Sequence, residues 1–303
     1  MSLPSAVRVG AVSAERRRAP VTAMIGSHNE ASLLERCLPS VAFCDEVIVI
    51  DIDSHDRTAA VAEAHDARVL RHAWVPIAER ARLELVGEAK HDWLLFLDPD
   101  EKLPPALAEQ IVDLVPSLEA DVGVVVCPWQ FHFAGRPLRG TVWGGITRKR
   151  TLALRGGADL RPTVHSGTRL LPGYRIHEIP FSGDNAIAHY WATGYRALIA
   201  KHWRYLKLEG RDRYDQGMIT GYRDILRTPW PAFYDSFVTR DGYRDGVTGF
   251  ALSLVWSAYA TGAKVALLRE LRRISAAPES ADPRTTVSRS WKRMRPRRRS
   301  FRS

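Results

Sequence analysis

The sequence predicts an α/β fold: a mostly parallel sheet flanked by helices, followed by a helical C-terminal extension. Three features carry that prediction. Apolar runs at 21–26, 46–50 and 93–97 alternate with helix-length segments, the pattern of βαβ units. The run at 93–97 has no polar interruption, as expected of a central strand covered on both faces. Beyond residue 193 the pattern changes to amphipathic and charge-free stretches with helical spacing.

In chain order, residues 1–19 are expected to be a disordered leader. Residues 21–26 form a first strand, and Ser27, His28, Asn29 and Glu30 follow at its carboxyl end. Asn29 suits the N-cap of a helix that carries Leu33, Leu34 and Leu38 on one face. A second strand at 46–50 runs into Asp51, Asp53 and Asp56. A helix through Ala64, a short strand at 68–70 and a helix over 77–89, which includes Arg82, lead into the strand at 93–97. That strand stops at Asp98-Pro99-Asp100-Glu101, and ligands of open α/β sheets bind at such strand ends. In extended backbone Asp98 and Asp100 project to the same side. Two hard oxygen ligands then converge on one cation, for which Mg²⁺ or Mn²⁺ with a diphosphate is the fitting occupant. The competing account makes Asp100 a helix cap, with Glu101 in the first turn of a helix begun near Leu103.

With 303 residues the chain has ample length for a sizeable core. Its 45% hydrophobic and 26% charged residues are ordinary for a globular protein. The net charge of +10 is concentrated, because nine basic residues and no acid follow Asp282. Residues 276–303 are therefore expected to form a disordered basic tail that attracts an anionic membrane surface, with no nucleic acid expected. Cys37, Cys44 and Cys127 are an odd number without metal-ligand spacing, which predicts free buried thiols in a reducing cytosol. The start of the chain lacks the apolar core of a signal peptide. A cytoplasmic location, peripheral at the inner face of the cell membrane, is the expectation.

The block Ser27-His28-Asn29-Glu30, the block from Val47 through Asp51 to Thr58, and the block from Trp93 to Glu101, in that order, resemble the nucleotide-sugar half of family 2 glycosyltransferases with a GT-A fold. The resemblance is strongest to the bacterial branch that includes lipopolysaccharide-core glucosyltransferases. Ala31 stands where that signature has a second Glu, Pro99 where it has Ala, and Leu83 where Asn is common. None of these removes a metal ligand. The resemblance implies that Asp51 accepts from the nucleobase edge and that Ser27, Asn29 and Glu30 line the nucleoside pocket. It further implies that Arg82 faces the diphosphate, and that Asp98 and Asp100 hold a Mg²⁺ or Mn²⁺ ion bridging the two phosphates.

A strand at 123–127 precedes Trp129, Phe131, Phe133 and Trp143, which suit an acceptor surface or core packing equally. Three histidine segments follow, at His165, His177 and His189. In related sequences a Val-His-Glu block and a later His-Tyr lie near the active site, and both His165 and His177 compete for the first. His189 is the candidate third contact to metal or diphosphate, with a satisfied core histidine as the alternative. Glu101 and Glu178 are the contenders for the carboxylate that takes the acceptor's proton, with Asp184 behind them. An amphipathic helix over 195–209 has a basic face. The charge-free stretch 246–263 is at the lower edge for spanning a bilayer, so a packed or interfacial helix is expected there.

The expected organisation is thus a leader (1–19), a nucleotide-sugar and acceptor domain (20–192), a helical region (193–275) and a basic tail (276–303). The expected function is metal-dependent, inverting transfer of a sugar from a UDP- or dTDP-linked donor to a hydroxyl of a cell-envelope, lipid-linked or small-molecule acceptor. One rival is a sugar-phosphate nucleotidyltransferase, which needs a glycine-rich loop where the chain offers only Gly26. The other is a non-catalytic, membrane-associated envelope scaffold, against which the intact acids speak.

Overall fold

The computed structural model describes residues 17–160 and 168–276, so the expected leader and tail fall almost wholly outside the described residues. The chain divides into two compact units. One comprises residues up to 138 together with 145–191; the other comprises 139–144 and the residues from 192 onward.

The first unit begins with strict alternation: β1 (Ala19–Ser27), α1 (Ala31–Cys37), β2 (Cys44–Ile52), α2 (Thr58–Ala64), β3 (Arg68–His72), α3 (Ala78–Leu85) and β4 (Trp93–Leu97). It continues through β5 (Glu101–Lys102), α4 (Pro105–Leu114), β6 (Val122–Phe133), β7 (Arg136–Pro137), β8 (Thr147–Leu154), β9 (Ala158–Leu160), β10 (Thr168–Leu170), β11 (Arg175–Glu178) and β12 (Ile187–Ala192). The main sheet has the order β3-β2-β1-β4-β8-β6-β12-β5, with β7 and β11 also paired to β6. Its first four strands are parallel. From β8 onward the sheet turns antiparallel, since β8 pairs in that sense with both β4 and β6.

The period-two alternation of β1 and β4 sorts the core onto two faces. Ala23, Ile25, Leu95 and Leu97 join Leu34 of α1 and Leu107 and Ile111 of α4 on one side. Met24, Leu94 and Phe96 join Ile48, Ile50 and Ala81 of α3 on the other. Both faces of β4 are thereby buried, which is why its sequence shows no polar interruption. Each such aliphatic side chain is worth about 1.5–3 kcal/mol of burial. Gly26, near the carboxyl end of β1, sets the position of α3. A Cβ there would lie 2.8 Å from the Cβ of Ala78, so only glycine lets α3 come this close to the strand. That approach delivers Arg82, one turn further on, to the strand ends.

The second unit is helical: α5 (Tyr195–Asp215), α6 (Tyr222–Arg227), α7 (Pro229–Tyr234) and α8 (Gly246–Ser275). Residues 139–144, expected in the first domain, belong here instead. The Asp245 carboxylate accepts from the backbone N–H groups of Arg139 and Gly140, and Trp143 stands edge-on to His202 and Trp256. The helix expected over 246–263 extends to Ser275 and packs along α5, where a Cβ on Gly210 would meet the Ala266 carbonyl at 2.6 Å.

Candidate active site

Parallel pairing sets Ser27 beside Asp51, and β4 ends next to β1, so the polar residues after three strands gather at one edge. Between the first two strands this edge is laced by hydrogen bonds. His55 N–H donates to Asn29 Oδ1 at 2.7 Å, Asn29 N–H to Ser54 Oγ at 3.0 Å, and Glu30 N–H to Thr58 Oγ1 at 3.2 Å. Asn29 has a left-handed φ of 56°, which asparagine tolerates better than most residues. It does not cap α1: Glu30 occupies the N-cap position, and the Asn29 side chain holds the β2 loop instead. Ser27 is buried at the strand end. Asp51 is 3% exposed, accepts from Ser54 N–H at 3.1 Å and lies 3.6 Å from the Arg71 guanidinium.

After β4 the backbone does not stay extended. Glu101 N–H donates to the Asp98 carbonyl at 2.9 Å, closing a four-residue turn with Pro99 in its second position, where the fixed φ of proline fits. The turn replaces the expected extended backbone, and the two carboxylates take different partners. Arg82 Nη2 donates to Asp98 Oδ1 at 2.8 Å and to the Leu97 carbonyl at 2.6 Å, and Lys149 Nζ lies 3.6 Å from Asp98 Oδ2. Asp100 Oδ2 instead lies 3.2 Å from His189 Nε2, and the Asp100 carbonyl accepts from Tyr190 N–H at 2.7 Å. Asp100 does not cap a helix either, since α4 begins at Pro105.

Glu101 is the centre of the network. It is 1% exposed, accepts from Trp129 Nε1–H at 2.7 Å and from Asp98 N–H at 2.8 Å, and forms an ion pair with Lys149. Every oxygen of its carboxylate is taken, so the expectation of a free base at Glu101 is corrected: it holds the turn. Burial pushes its carboxyl up; Lys149 pulls the other way without cancelling this, and Asp98 adds to the rise. For Asp98 burial also acts upward, but Lys149 and Arg82 hold it well below the usual carboxylate range. Burial alone would lower Lys149, and Glu101 and Asp98 keep it above the ordinary lysine value.

The other contender, Glu178, is elsewhere. In the ladder, Lys149 pairs with Cys127 while Arg148 pairs with Pro128 and Glu178 with Val126. The alternation therefore places Glu178 and Arg148 on the sheet face opposite Lys149, where they form an exposed ion pair. Asp184 stands in an exposed turn, and the segment with His165 lies outside the described residues. Trp129 stacks on His189 with ring centroids 4.8 Å apart and an interplanar angle of 17°, and Phe131 flanks the same ring. The aromatics of β6 thus frame the site histidine.

Two buried polar atoms lack partners at this edge, Nδ1 of His189 and Nε of Arg82. Among the described residues no three His, Cys, Asp or Glu side chains are grouped to hold an ion unaided. Asp100 with His189 fits a cation that completes its shell with substrate oxygens, the usual habit of Mg²⁺. Lys149 was given no role in the sequence reading. The signal was present: in the strand Thr147-Arg148-Lys149-Arg150 alternation turns one cation inward between two exposed arginines, and an inward charge requires a partner.

Residues 22–170 match the profile of the family described as Glycosyl transferase family 2. An uncharacterised glycosyltransferase of Rickettsia bellii is 27% identical over 258 residues, covering 83% of this chain and 86% of that protein. The lipopolysaccharide core biosynthesis glycosyltransferase LpsC of Rhizobium meliloti is 25% identical over 260 residues, covering 81% and 92%. Among solved structures, the mannosyltransferase PcManGT from Pyrobaculum calidifontis, in complex with GDP-Man and Mn²⁺, aligns with a TM-score of 0.49 at 18% identity, covering 83% and 87% of the two chains. Residues 22–170 of the chain are a glycosyltransferase family 2 domain.

Proposed function

We propose that the enzyme is a metal-dependent, inverting transferase that moves a sugar from a UDP- or dTDP-linked donor to a hydroxyl of a cell-envelope or lipid-linked glycan, at the inner face of the cell membrane. The observation that carries this reading is the gathering of buried Arg82 and half-buried Lys149 around Asp98, with Asp100 paired to His189, at the carboxyl ends of the parallel strands. Asp51 accepts from the nucleobase, and Ser27, Asn29 and Glu30 line the nucleoside pocket. Asp98, Asp100 and His189 would hold Mg²⁺ or Mn²⁺, which supplies Lewis-acid stabilisation of the leaving diphosphate. Arg82 and Lys149 add fixed positive charge where that leaving group develops its own.

The acceptor oxygen bonds to the anomeric carbon from the side opposite the diphosphate as the glycosidic bond to phosphate breaks, and its proton passes to a carboxylate. Glu101 holds the turn and Glu178 lies on the sheet face opposite Lys149, so neither contender is given this role. LpsC, a core glycosyltransferase by name, supports an envelope acceptor. The test uses a labelled UDP- or dTDP-hexose with a membrane lipid extract. Transfer is expected from wild type, from Glu101→Gln weakened by lower stability, and from Glu178→Gln at nearly the wild-type rate, since that residue lies on the opposite sheet face. A loss of about 10²-fold or more in Glu178→Gln would return the base role to that residue, and no transfer from either donor contradicts the donor assignment.

A further inference from the structure

Of the twenty large hydrophobic side chains that stand exposed among the described residues, sixteen lie in the helical unit. They are not scattered. From the approach to α6 through α7, Ile219, Tyr222, Leu226, Trp230 and Tyr234 recur every three or four residues and point outward, with Ile219 85%, Leu226 81% and Trp230 72% exposed. A helix of a water-facing surface turns such a stripe inward. On α8, Val247, Phe250 and Leu254 continue the exposed apolar surface, and the Phe250 ring meets Phe233 and Phe237 edge-on at 5.4 and 5.6 Å. The two stripes therefore form one face.

The side of α8 that carries Leu252, Ala263 and Leu267 is buried in the unit's interior, and serines at its margin tie the helix to the segment around α7. Ser253 and Ser236 share a hydrogen bond of 2.9 Å, Ser257 donates to the Pro229 carbonyl at 2.7 Å, and Tyr259 donates to Glu209.

We propose that this face docks in the interfacial layer of an anionic lipid bilayer. The charge pattern selects that occupant. Exposed Arg223 and Arg227 alternate with the apolar residues of the stripe, and Asp224 is turned back to the Gly221 N–H at 2.8 Å; Arg240 and Arg244, which follow, are paired with Asp235 and Asp241 and add no net charge. Tryptophan, tyrosine and arginine around an apolar stripe match the boundary between acyl chains and acidic headgroups. The nine basic residues after Asp282 add attraction of the same sign. This inference stands on the helical unit alone and does not depend on the donor or acceptor proposed above.

Flotation of the full chain with phosphatidylcholine vesicles, with and without phosphatidylglycerol, tests it. Wild type is expected to float with the anionic vesicles, and Leu226→Ser/Trp230→Ser to partition about thirtyfold less, with an unchanged circular dichroism spectrum. If that variant does not fold, Val247→Asp, at a fully outward position, gives the same readout. Wild-type protein that ignores anionic vesicles overturns the proposal. So does a stripe variant that floats like wild type, which would leave the tail as the anchor. A dimer in sedimentation velocity that the stripe variant abolishes, without vesicle binding, would assign the face to a second copy and overturn it as well.

Discussion

Asp100→Ala is expected to lower kcat/KM about 10²–10³-fold, the loss that follows removal of one electrostatic partner of a developing charge. The geometry makes the effect specific. Asp100 leaves its carbonyl bond to Tyr190 N–H intact after truncation, because that bond belongs to the backbone. What disappears is the oxygen 3.2 Å from His189 Nε2. The folded structure should therefore lose less than about 3 kcal/mol, the upper range for a hydrogen bond to a charged group. Denaturant titration beside the kinetics separates the two effects. Partial recovery of activity at millimolar Mn²⁺ marks a lost metal ligand; a loss that no concentration of Mn²⁺ relieves, or unimpaired activity, contradicts that role.

Lys149→Met is expected to act on the fold itself, with a loss of about 3–5 kcal/mol. Removing the ammonium leaves Glu101 buried without its cation and leaves Asp98 with Arg82 alone. The cost arises from the charge left behind, so replacing both partners should hurt less. Lys149→Met/Glu101→Gln is expected to recover part of the stability lost by Lys149→Met, since the neutral amide still accepts from Trp129 Nε1–H. Urea midpoints of the single and double variants give the coupling directly. A double variant less stable than either single would mean that the pair contributes little and that the turn is held by Trp129 and the backbone.

Much of the first unit was legible in the sequence because its strands are buried on both faces and end abruptly. The run at 93–97 is β4 to the residue, and the strands at 21–26 and 46–50 lie within β1 and β2. Local reasoning failed where the backbone turned. Nothing in Asp98-Pro99-Asp100-Glu101 distinguishes an extended pair of ligands from a turn, because proline serves both. The deciding contacts, Lys149 and Trp129, come from strands about fifty and thirty residues away. Asn29 misled for a related reason: the residue types that cap helices also tolerate a left-handed φ, and here the loop used the second property. The helical unit was legible as helices but not as a face. Its stripe has helical period, and the period alone does not say whether a side is turned inward or outward.

The most direct test of the central claim is calorimetric titration of UDP and of dTDP into the full chain, first with Mn²⁺ and then with EDTA. One of the two is expected to bind tightly with Mn²⁺, EDTA to weaken the binding at least about tenfold, and Asp100→Ala to bind as the EDTA-treated protein does. Binding of equal strength with and without the metal would contradict the cation site at Asp98, Asp100 and His189. Absence of binding to either nucleotide would contradict the donor site as a whole.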